Sequence, residues 1–147
     1  MVKKFLLSIL LIAFAYGEQM EYADPQPTFD NPRQWVIKLR TANVEDVNHM
    51  LGSIYNVLKE YPSGAINIAV VTYAQGVRVI RKDYDRDTLD RIESLMEYDV
   101  EFIVCRNTAD TMGWKDDEFL DDVSYVRAGI AEVIERQAAG WIGVTPY

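Results

Sequence analysis

The sequence contains very few of the residues that most often bind metals or form crosslinks. It has one cysteine, Cys105, and one histidine, His49. A lone cysteine excludes an internal disulfide and a cysteine-rich zinc site, because each needs a second cysteine. His49 lies opposite the apolar stripe of its predicted helix, so we predict that it faces solvent or a partner subunit rather than a metal ion.

Positive charge is also scarce. The chain has 15 Lys and Arg against 23 Asp and Glu, a net charge of −8 at pH 7, which disfavours nucleic acids and anionic lipids as partners. The acidic stretch at residues 115–122, KDDEFLDD, lacks the ligand spacing and central glycine of a calcium loop and is better interpreted as a solvated helix start. Phosphate loops, dinucleotide fingerprints and nucleophile elbows are absent, so the sequence implies no cofactor and no metal.

Residues 5–15 form an apolar run that is too short to cross a bilayer, which needs about 20 residues. The run follows Lys3 and Lys4 and leads into small residues. This arrangement predicts a signal peptide at residues 1–17, with an uncleaved membrane anchor as the less suitable alternative. Cleavage after Gly17 would give an exported, periplasmic protein with no membrane attachment.

The rest of the chain divides into a leader and one domain. Residues 18–34 hold three of the five prolines and show no hydrophobic period, which predicts an extended leader. Residues 35–147 alternate apolar, β-rich runs with segments of helical periodicity. Strands that are apolar throughout need helices on both faces, so the predicted fold is α/β, with three α/β/α layers and a mainly parallel sheet of about five strands. The predicted strands lie near residues 35–39, 66–73, 100–105, 123–126 and 141–144, and the longer helices near 44–60, 89–98 and 127–140.

Some polar residues have specific predicted roles in these elements. Asn43 is the predicted cap of the first helix, and Asp87 or Thr88 that of the second. Thr108 is the predicted cap of a short turn that follows the third strand. Gln137 lies on the apolar face of the last helix, which predicts a buried hydrogen bond for its amide.

Cys105 ends the third predicted strand, within VEFIVCRNTADTMGW at residues 100–114. Open parallel sheets bind ligands beyond the carboxyl ends of their strands. Backbone N–H groups at the following helix start, residues 107–110, and the charge of Arg106 can stabilise a thiolate and lower its pKa. The alternative is that Cys105 is only the last residue of a core strand.

The second strand is predicted to bring Tyr73, Gln75 and Gly76 to the same edge of the sheet. Tyr73 and Gln75 would shape a pocket beside the thiol. Gly76 would allow close approach of a small ligand or, alternatively, make a tight turn.

Three segments of the sequence resemble the DsrE/DsrF-like family, in particular its small single-domain branch of the intracellular sulfur oxidation type. They are INIAVVTYAQGV, VEFIVCRNTADTMGW and VRAGIAEVIERQAAGWIGVTP, and the resemblance covers about residues 35–146. It implies a compact α/β fold with a parallel sheet and assembly into dimers, trimers or hexamers. By analogy with characterised relatives, it also implies sulfur relay through a cysteine persulfide.

Carried over to this chain, the resemblance implies that Cys105 bears the persulfide, with Asn107 and Thr108 in the accompanying sequence. Many relatives have a histidine-containing segment after the second strand, whereas residues 72–75 read TYAQ, so activation is expected from the helix start and from Arg106. The predicted function is to carry or transfer sulfane sulfur, with a sulfur donor or acceptor protein, or a small sulfur compound, as partner. The alternatives are a non-catalytic oligomeric module that binds a small ligand or mediates assembly, and a redox sensor that forms an intermolecular Cys105 disulfide.

Overall fold

The computed structural model describes residues 18–147, so the predicted signal peptide at residues 1–17 lies outside the described residues. The chain alternates strands and helices, as expected. In order, the elements are β1 Arg33–Leu39, α1 Val44–Glu60, β2 Ile66–Thr72, a 3-10 helix at Ala74–Ile80, α2 Arg86–Glu97, β3 Glu101–Cys105, α3 Arg106–Met112, a short 3-10 turn at Asp116–Glu118, β4 Ser124–Val126, α4 Gly129–Ala138 and β5 Ile142–Gly143.

The five strands form one sheet in the order β4-β3-β2-β1-β5, and every neighbouring pair is parallel. The prediction of a three-layer α/β/α fold with a parallel sheet is therefore confirmed. Because all strands run the same way, their carboxyl ends lie along one edge. Thr72 at the end of β2 pairs with Val104, and Cys105 pairs with Val126 of β4.

Alternate residues of the strands enter two separate cores. Trp35 and Ile37 of β1 belong to the larger core, which α1, α2 and the first 3-10 helix also help to form, whereas Val36 belongs to the smaller one. In the smaller core, Val133 of α4 packs against the strands. The continuous apolar runs of β2 and β3 follow from this two-sided cover.

Two helices begin at residues other than those predicted, whereas Asn43 caps α1 as expected and accepts a hydrogen bond from Asp46 N at 3.1 Å. The prediction that Asp87 or Thr88 caps α2 is wrong. Asp85 is the cap, because its carboxylate accepts from both the Thr88 N–H at 2.9 Å and the Thr88 hydroxyl at 2.6 Å. These hydrogen bonds hold the pKa of Asp85 below its usual value.

The predicted cap of the turn after β3 also differs from the structure. Thr108 lies inside α3, and Cys105 itself occupies the cap position. The prediction for Gln137 is wrong because its side chain is exposed. Gly129 and Val133 are the buried residues of α4, whose buried face is therefore narrower than its sequence suggests. His49 is exposed, as predicted.

The leader contains no helix or strand between residues 18 and 32. It packs against the end of α1 and the start of β1. The Tyr22 hydroxyl donates to the Glu60 carbonyl, and the ring centroids of Tyr22 and Tyr61 are 5.3 Å apart. Arg33 donates to the Ala23 carbonyl at 2.6 Å. Within residues 18–147, no helix has the length and apolar character needed to span a membrane.

Candidate functional site

Cys105 lies at the carboxyl end of β3 and is 5% exposed. Its Sγ accepts a hydrogen bond at 3.3 Å from the N–H of Gly129, the first residue of α4. The Arg127 carbonyl oxygen lies 4.0 Å from the same sulfur. The segment between β4 and α4 therefore covers the thiol and presents both a donor and an acceptor to it.

Two helix starts meet at this sulfur. α3 begins directly after Cys105, and α4 begins with the N–H that Sγ accepts. Burial raises the pKa of the Cys105 thiol, but hydrogen bonds from Gly129, Thr108 and Asn107 lower it. The Gly129 N–H bonds directly to Sγ, and the N–H groups of Asn107 and Thr108 and the Thr108 hydroxyl add to its effect from the start of α3, where Cys105 makes no side-chain cap hydrogen bond. Together these groups outweigh burial, so the thiol pKa lies below its ordinary value.

Gly129 is buried and has little space for a side chain. A Cβ built there would lie 3.2 Å from Cys105 Cβ, 3.2 Å from Val71 Cγ1 and 3.3 Å from Tyr73 Cβ. These contacts are tighter than ordinary van der Waals contacts. A glycine at this position thus allows the helix start to approach the sulfur closely enough for its N–H to donate.

The Arg106 side chain binds a carboxylate instead of contacting the thiol. Its guanidinium donates to both oxygens of Asp116, at 2.9 and 3.1 Å, and lies 4.1 Å from the centre of the Tyr125 ring. Asp116 belongs to the acidic stretch, which also pairs Glu118 with Arg81 at 3.3 Å. The groups that lower the thiol pKa are therefore local hydrogen-bond donors rather than this cation.

Asn107 connects α3 to the segment that covers the thiol. Its backbone N–H donates to the Arg127 carbonyl at 3.1 Å, and the Arg127 guanidinium lies 3.5 Å from its Oδ1. The same guanidinium pairs with Asp110 at 2.6 Å. These contacts hold residues 127–129 over the sulfur.

Thr108 links the end of β2 to the thiol. Its hydroxyl oxygen accepts a hydrogen bond from Ala74 N at 3.1 Å. Ala74 has φ of 49°, a left-handed conformation that costs an L-residue about 1–2 kcal/mol. The backbone strain at Ala74 thus lies beside the candidate site.

We expect Ala74→Gly to raise the free energy of unfolding by up to about 1 kcal/mol, because glycine adopts positive φ without the Cβ penalty. The matched control is Ala131→Gly, an exposed position in α4 where glycine should cost about 1 kcal/mol. Urea denaturation of the two variants measures both effects. A loss of stability in Ala74→Gly equal to that of the control would contradict the assignment of strain.

A cavity of about 360 Å³ opens beside Thr108 at this edge of the sheet. Arg78 enters it, with its Nε donating to Gln75 Oε1 at 2.6 Å and its guanidinium 5.2 Å from the centre of the Trp114 ring. The lining residues include Ala74, Gln75, Arg78, Asn107, Thr108 and Trp114.

The structure brings most of the predicted site residues together. Gln75, Asn107 and Thr108 line the cavity, and Tyr73 packs beside Gly129. Gly76 is buried, and a Cβ there would lie 1.9 Å from the Leu39 carbonyl oxygen. Its close contact is therefore with the end of β1.

Sequence reasoning did not single out Arg78 or the donor role of Gly129. Arg78 lies between the buried residues Val77 and Val79. This alternation is typical of a polar residue at a helix surface, and it does not predict that the residue lines a cavity. Gly129 lies in VRAGIAEVIERQAAGWIGVTP, the C-terminal segment that resembles the family, and this resemblance is the sequence feature that could have drawn attention to it. Within residues 18–147, no group of three or more His, Cys, Asp or Glu side chains has a geometry that could hold a metal ion.

The protein thus has a three-layer α/β fold, with a hydrogen-bonded thiol at the carboxyl edge of its parallel sheet. The family model of the DsrE/DsrF-like family matches residues 7–146, so the chain belongs to this family. A solved structure of a protein of unknown function from Methanobacterium thermoautotrophicum is similar, with 26% identity and a TM-score of 0.72, covering 78% of this chain and 99% of that one. No curated protein matches the chain.

Proposed function

We propose that this protein carries or transfers sulfane sulfur as a persulfide on Cys105. The observation that supports this most strongly is the hydrogen bond at 3.3 Å from Gly129 N–H, at the start of α4, to Sγ of the residue that directly precedes α3. N–H donors of this kind favour the thiolate, which is the nucleophilic form of cysteine. Membership of the DsrE/DsrF-like family supports a role in sulfur chemistry. Export through residues 1–17 and assembly into oligomers stay predictions from the sequence.

The proposed reaction is an exchange of sulfur between anions. The Cys105 thiolate attacks a sulfane sulfur of a polysulfide dianion, and a new S–S bond forms while one in the donor breaks. The shortened polysulfide leaves with the bonding electron pair, and Cys105 becomes a persulfide anion. An acceptor thiolate then attacks the terminal sulfur and Cys105 leaves as thiolate, so no external oxidant or reductant is needed.

The same hydrogen-bond donors serve both steps. They increase the thiolate fraction at neutral pH for the first attack, because they lower the thiol pKa. They also stabilise Cys105 as a leaving group in the second step, since a less basic thiolate leaves faster. Gly129, Thr108 and Asn107 are therefore the positioning residues of the proposed reaction, and Tyr73 shapes its surroundings.

Reaction at a thiol that is 5% exposed requires the cover over it to open. Arg127 and Ala128, between β4 and α4, form that cover, and the exposed ion pair of Arg127 with Asp110 helps to hold it. Ion pairs at a protein surface contribute only about 0–1 kcal/mol. We propose that Arg127 and Ala128 move aside transiently to admit the sulfur donor, while the Gly129 N–H stays bonded to Sγ.

Polysulfide treatment followed by intact mass measurement tests the function. The wild-type protein should gain mass in increments of one sulfur atom, and the gain should disappear after reduction with a thiol. Cys105→Ser should gain nothing under the same conditions. An unmodified wild-type protein, or equal modification of Cys105→Ser, would contradict the proposal.

The second candidate is a non-catalytic module that binds a small ligand or assembles with other chains. The burial of Cys105 and the neighbouring 360 Å³ cavity favour it. It requires a thiol that neither alkylates in the native state nor takes up sulfur. Native alkylation by iodoacetamide therefore separates the two functions, since fast modification at neutral pH excludes an inert thiol.

A further inference from the structure

Arg78 differs from Arg81, Arg106 and Arg127 because no carboxylate from residue 18 onward lies within ion-pair distance of its guanidinium. Arg81, Arg106 and Arg127 pair with Asp83, Asp116 and Asp110, at 2.8, 2.9 and 2.6 Å. Across residues 18–147, Arg78 forms no ion pair, although it lines the cavity beside Thr108. An unpaired guanidinium in a cavity favours an anionic ligand.

The exposed Arg78 guanidinium is positioned by neutral groups, and its charge also helps to lower the pKa of Asp83. Its Nε–H donates to the Gln75 amide oxygen at 2.6 Å, and the Trp114 ring lies behind it at 5.2 Å. No acceptor in the described part of the chain bonds to its two terminal nitrogens. These nitrogens can donate in parallel to two oxygen or sulfur atoms of one anion, and a guanidinium fixed in advance loses little freedom when it does so.

The cavity and the buried thiol lie on either side of the start of α3, and Thr108 belongs to both surroundings. Thr108 lines the cavity, lies three residues after Cys105 in α3, and helps to lower the pKa of the thiol. No Asp or Glu is among the lining residues, so nothing in the wall repels an anion. A ligand held by Arg78 would thus lie next to the group that stabilises the thiolate.

We propose that this cavity binds the anionic end of a small sulfur compound, a thiosulfate or short polysulfide dianion, and that Arg78 is its specificity-determining residue. The sulfur chemistry rests on the function proposed above, whereas anion binding does not depend on it. A chain of net charge −8 repels dianions as a whole. An unpaired arginine beside the thiol provides the local attraction that such a ligand needs.

Titration of the Cys105→Ser protein with sodium thiosulfate, followed by amide NMR, tests binding without covalent chemistry. The N–H signals of Ala74 and Thr108 and the Trp114 indole N–H should shift and saturate, whereas sodium chloride at equal ionic strength should not reproduce this. Adding Arg78→Gln should weaken binding at least about fivefold, the effect of one unscreened charge at contact distance in water. Arg78→Lys should retain part of the affinity.

Arg86→Gln in the same background is the matched control, because it removes one positive charge from the exposed face of α2. Its affinity for thiosulfate should equal that of the parent. Equal affinities in the Arg78→Gln and Arg86→Gln variants, or no saturable shift in the parent, would overturn the inference. The amide spectrum of each variant also reports whether it is folded, and Arg78→Lys provides a second test if Arg78→Gln is not.

Polysulfide treatment of the wild-type protein and of Arg78→Gln separates this inference from the proposed function. Binding that depends on Arg78, without any sulfur adduct on Cys105, would support the anion site and contradict sulfur carriage. If sulfur adducts form at equal rates in both proteins and thiosulfate affinity does not depend on Arg78, the anion site is contradicted. The proposed function is then still supported. Slower adduct formation in Arg78→Gln would show that polysulfide, as well as thiosulfate, uses the site.

Discussion

Replacing Gly76 by alanine should lower the free energy of unfolding by about 3 kcal/mol or more, which is a large part of the 5–15 kcal/mol typical of a domain. The new Cβ would lie 1.9 Å from the Leu39 carbonyl oxygen and 2.6 Å from its carbonyl carbon. Leu39 ends β1, which is paired on one side with β2 and on the other with β5. The sheet therefore cannot yield, and the 3-10 helix must move away from it.

That movement would expose apolar surface as well as relieve the clash. Val77, Val79 and Ile80 follow Gly76 in the same 3-10 helix and are fully buried. The Leu39 carbonyl also accepts from Tyr73 N at 3.1 Å, and this hydrogen bond would be disturbed. Overpacking of this kind commonly costs 1–3 kcal/mol, and a backbone clash this close should reach or exceed the upper value.

Gly52→Ala is the matched control for Gly76→Ala. Gly52 lies inside α1, and the nearest atom to a Cβ there is Arg91 Nη2 at 3.8 Å, an ordinary contact. Alanine should therefore raise the free energy of unfolding by about 0.5–1 kcal/mol. Denaturant unfolding of both variants measures the contrast, and a Gly76→Ala protein as stable as wild type would contradict the assigned role.

Gly76 also shows what sequence alone can and cannot predict. Its position after β2 identified a glycine that is needed at the carboxyl edge of the sheet. A glycine is needed wherever the backbone comes close to another group, whether that group is a ligand or a neighbouring strand. The residue type alone therefore could not show which of the two lies next to Gly76. The deciding contact is with Leu39 of β1, a distant segment whose position relative to Gly76 is set by tertiary packing.

The thiol environment was predictable to a similar extent. The end of an apolar strand followed by polar residues placed Cys105 at the functional edge and predicted local N–H donors. Arg106 was included because it is adjacent in the sequence, whereas its side chain pairs with Asp116. The closest donor, Gly129 N–H, belongs to α4 and is brought to the sulfur by the parallel alignment of β3 with β4.

The face covered by α4 was the least predictable part of the fold. Apolar residues at helical spacing predicted a broad buried stripe with Gln137 inside it. Ile130 and Ile134 are 45% and 58% exposed, and Val133 is the apolar side chain of α4 that enters the smaller core. Periodicity identifies which residues share a helix face but does not determine how much of that face the sheet covers.

The rate of Cys105 alkylation by iodoacetamide should depend on pH with a midpoint below that of an ordinary thiol. The thiolate is the reactive form, so the rate rises as pH approaches the thiol pKa and levels off above it. Hydrogen bonds from Gly129, Thr108 and Asn107 set this lower pKa. Opening of Arg127 and Ala128 leaves the Gly129 N–H on the sulfur, so it changes the rates by the same factor at every pH and leaves the midpoint in place.

Gly129→Ala should raise the thiol pKa and so move that midpoint upward, by an amount that lowers the thiolate-to-thiol ratio at a given pH about tenfold. A Cβ at 3.2 Å from Cys105 Cβ and from Val71 Cγ1 would push the helix start away and lengthen its hydrogen bond to Sγ. A hydrogen bond to a charged group contributes about 1.5–3 kcal/mol, and about 1.4 kcal/mol corresponds to a tenfold change. Gly52→Ala, far from the thiol, should keep the wild-type profile, and an unchanged midpoint in Gly129→Ala would contradict the donor role.

The lowered thiol pKa should also make the free energy of unfolding depend on pH. Because the folded thiol pKa lies below the unfolded one, the thiolate stabilises the fold fully above the unfolded pKa, and this stabilisation is lost as pH falls through the folded pKa. The unfolding free energy of wild type relative to Cys105→Ser should therefore increase with pH between those two values. Gly129→Ala should narrow the pH range between the folded and unfolded pKa values, because it raises only the pKa of the folded state. A difference between wild type and Cys105→Ser that is constant with pH would contradict the lowered pKa, and a difference that falls at high pH would show that the sulfur is packed as a neutral thiol.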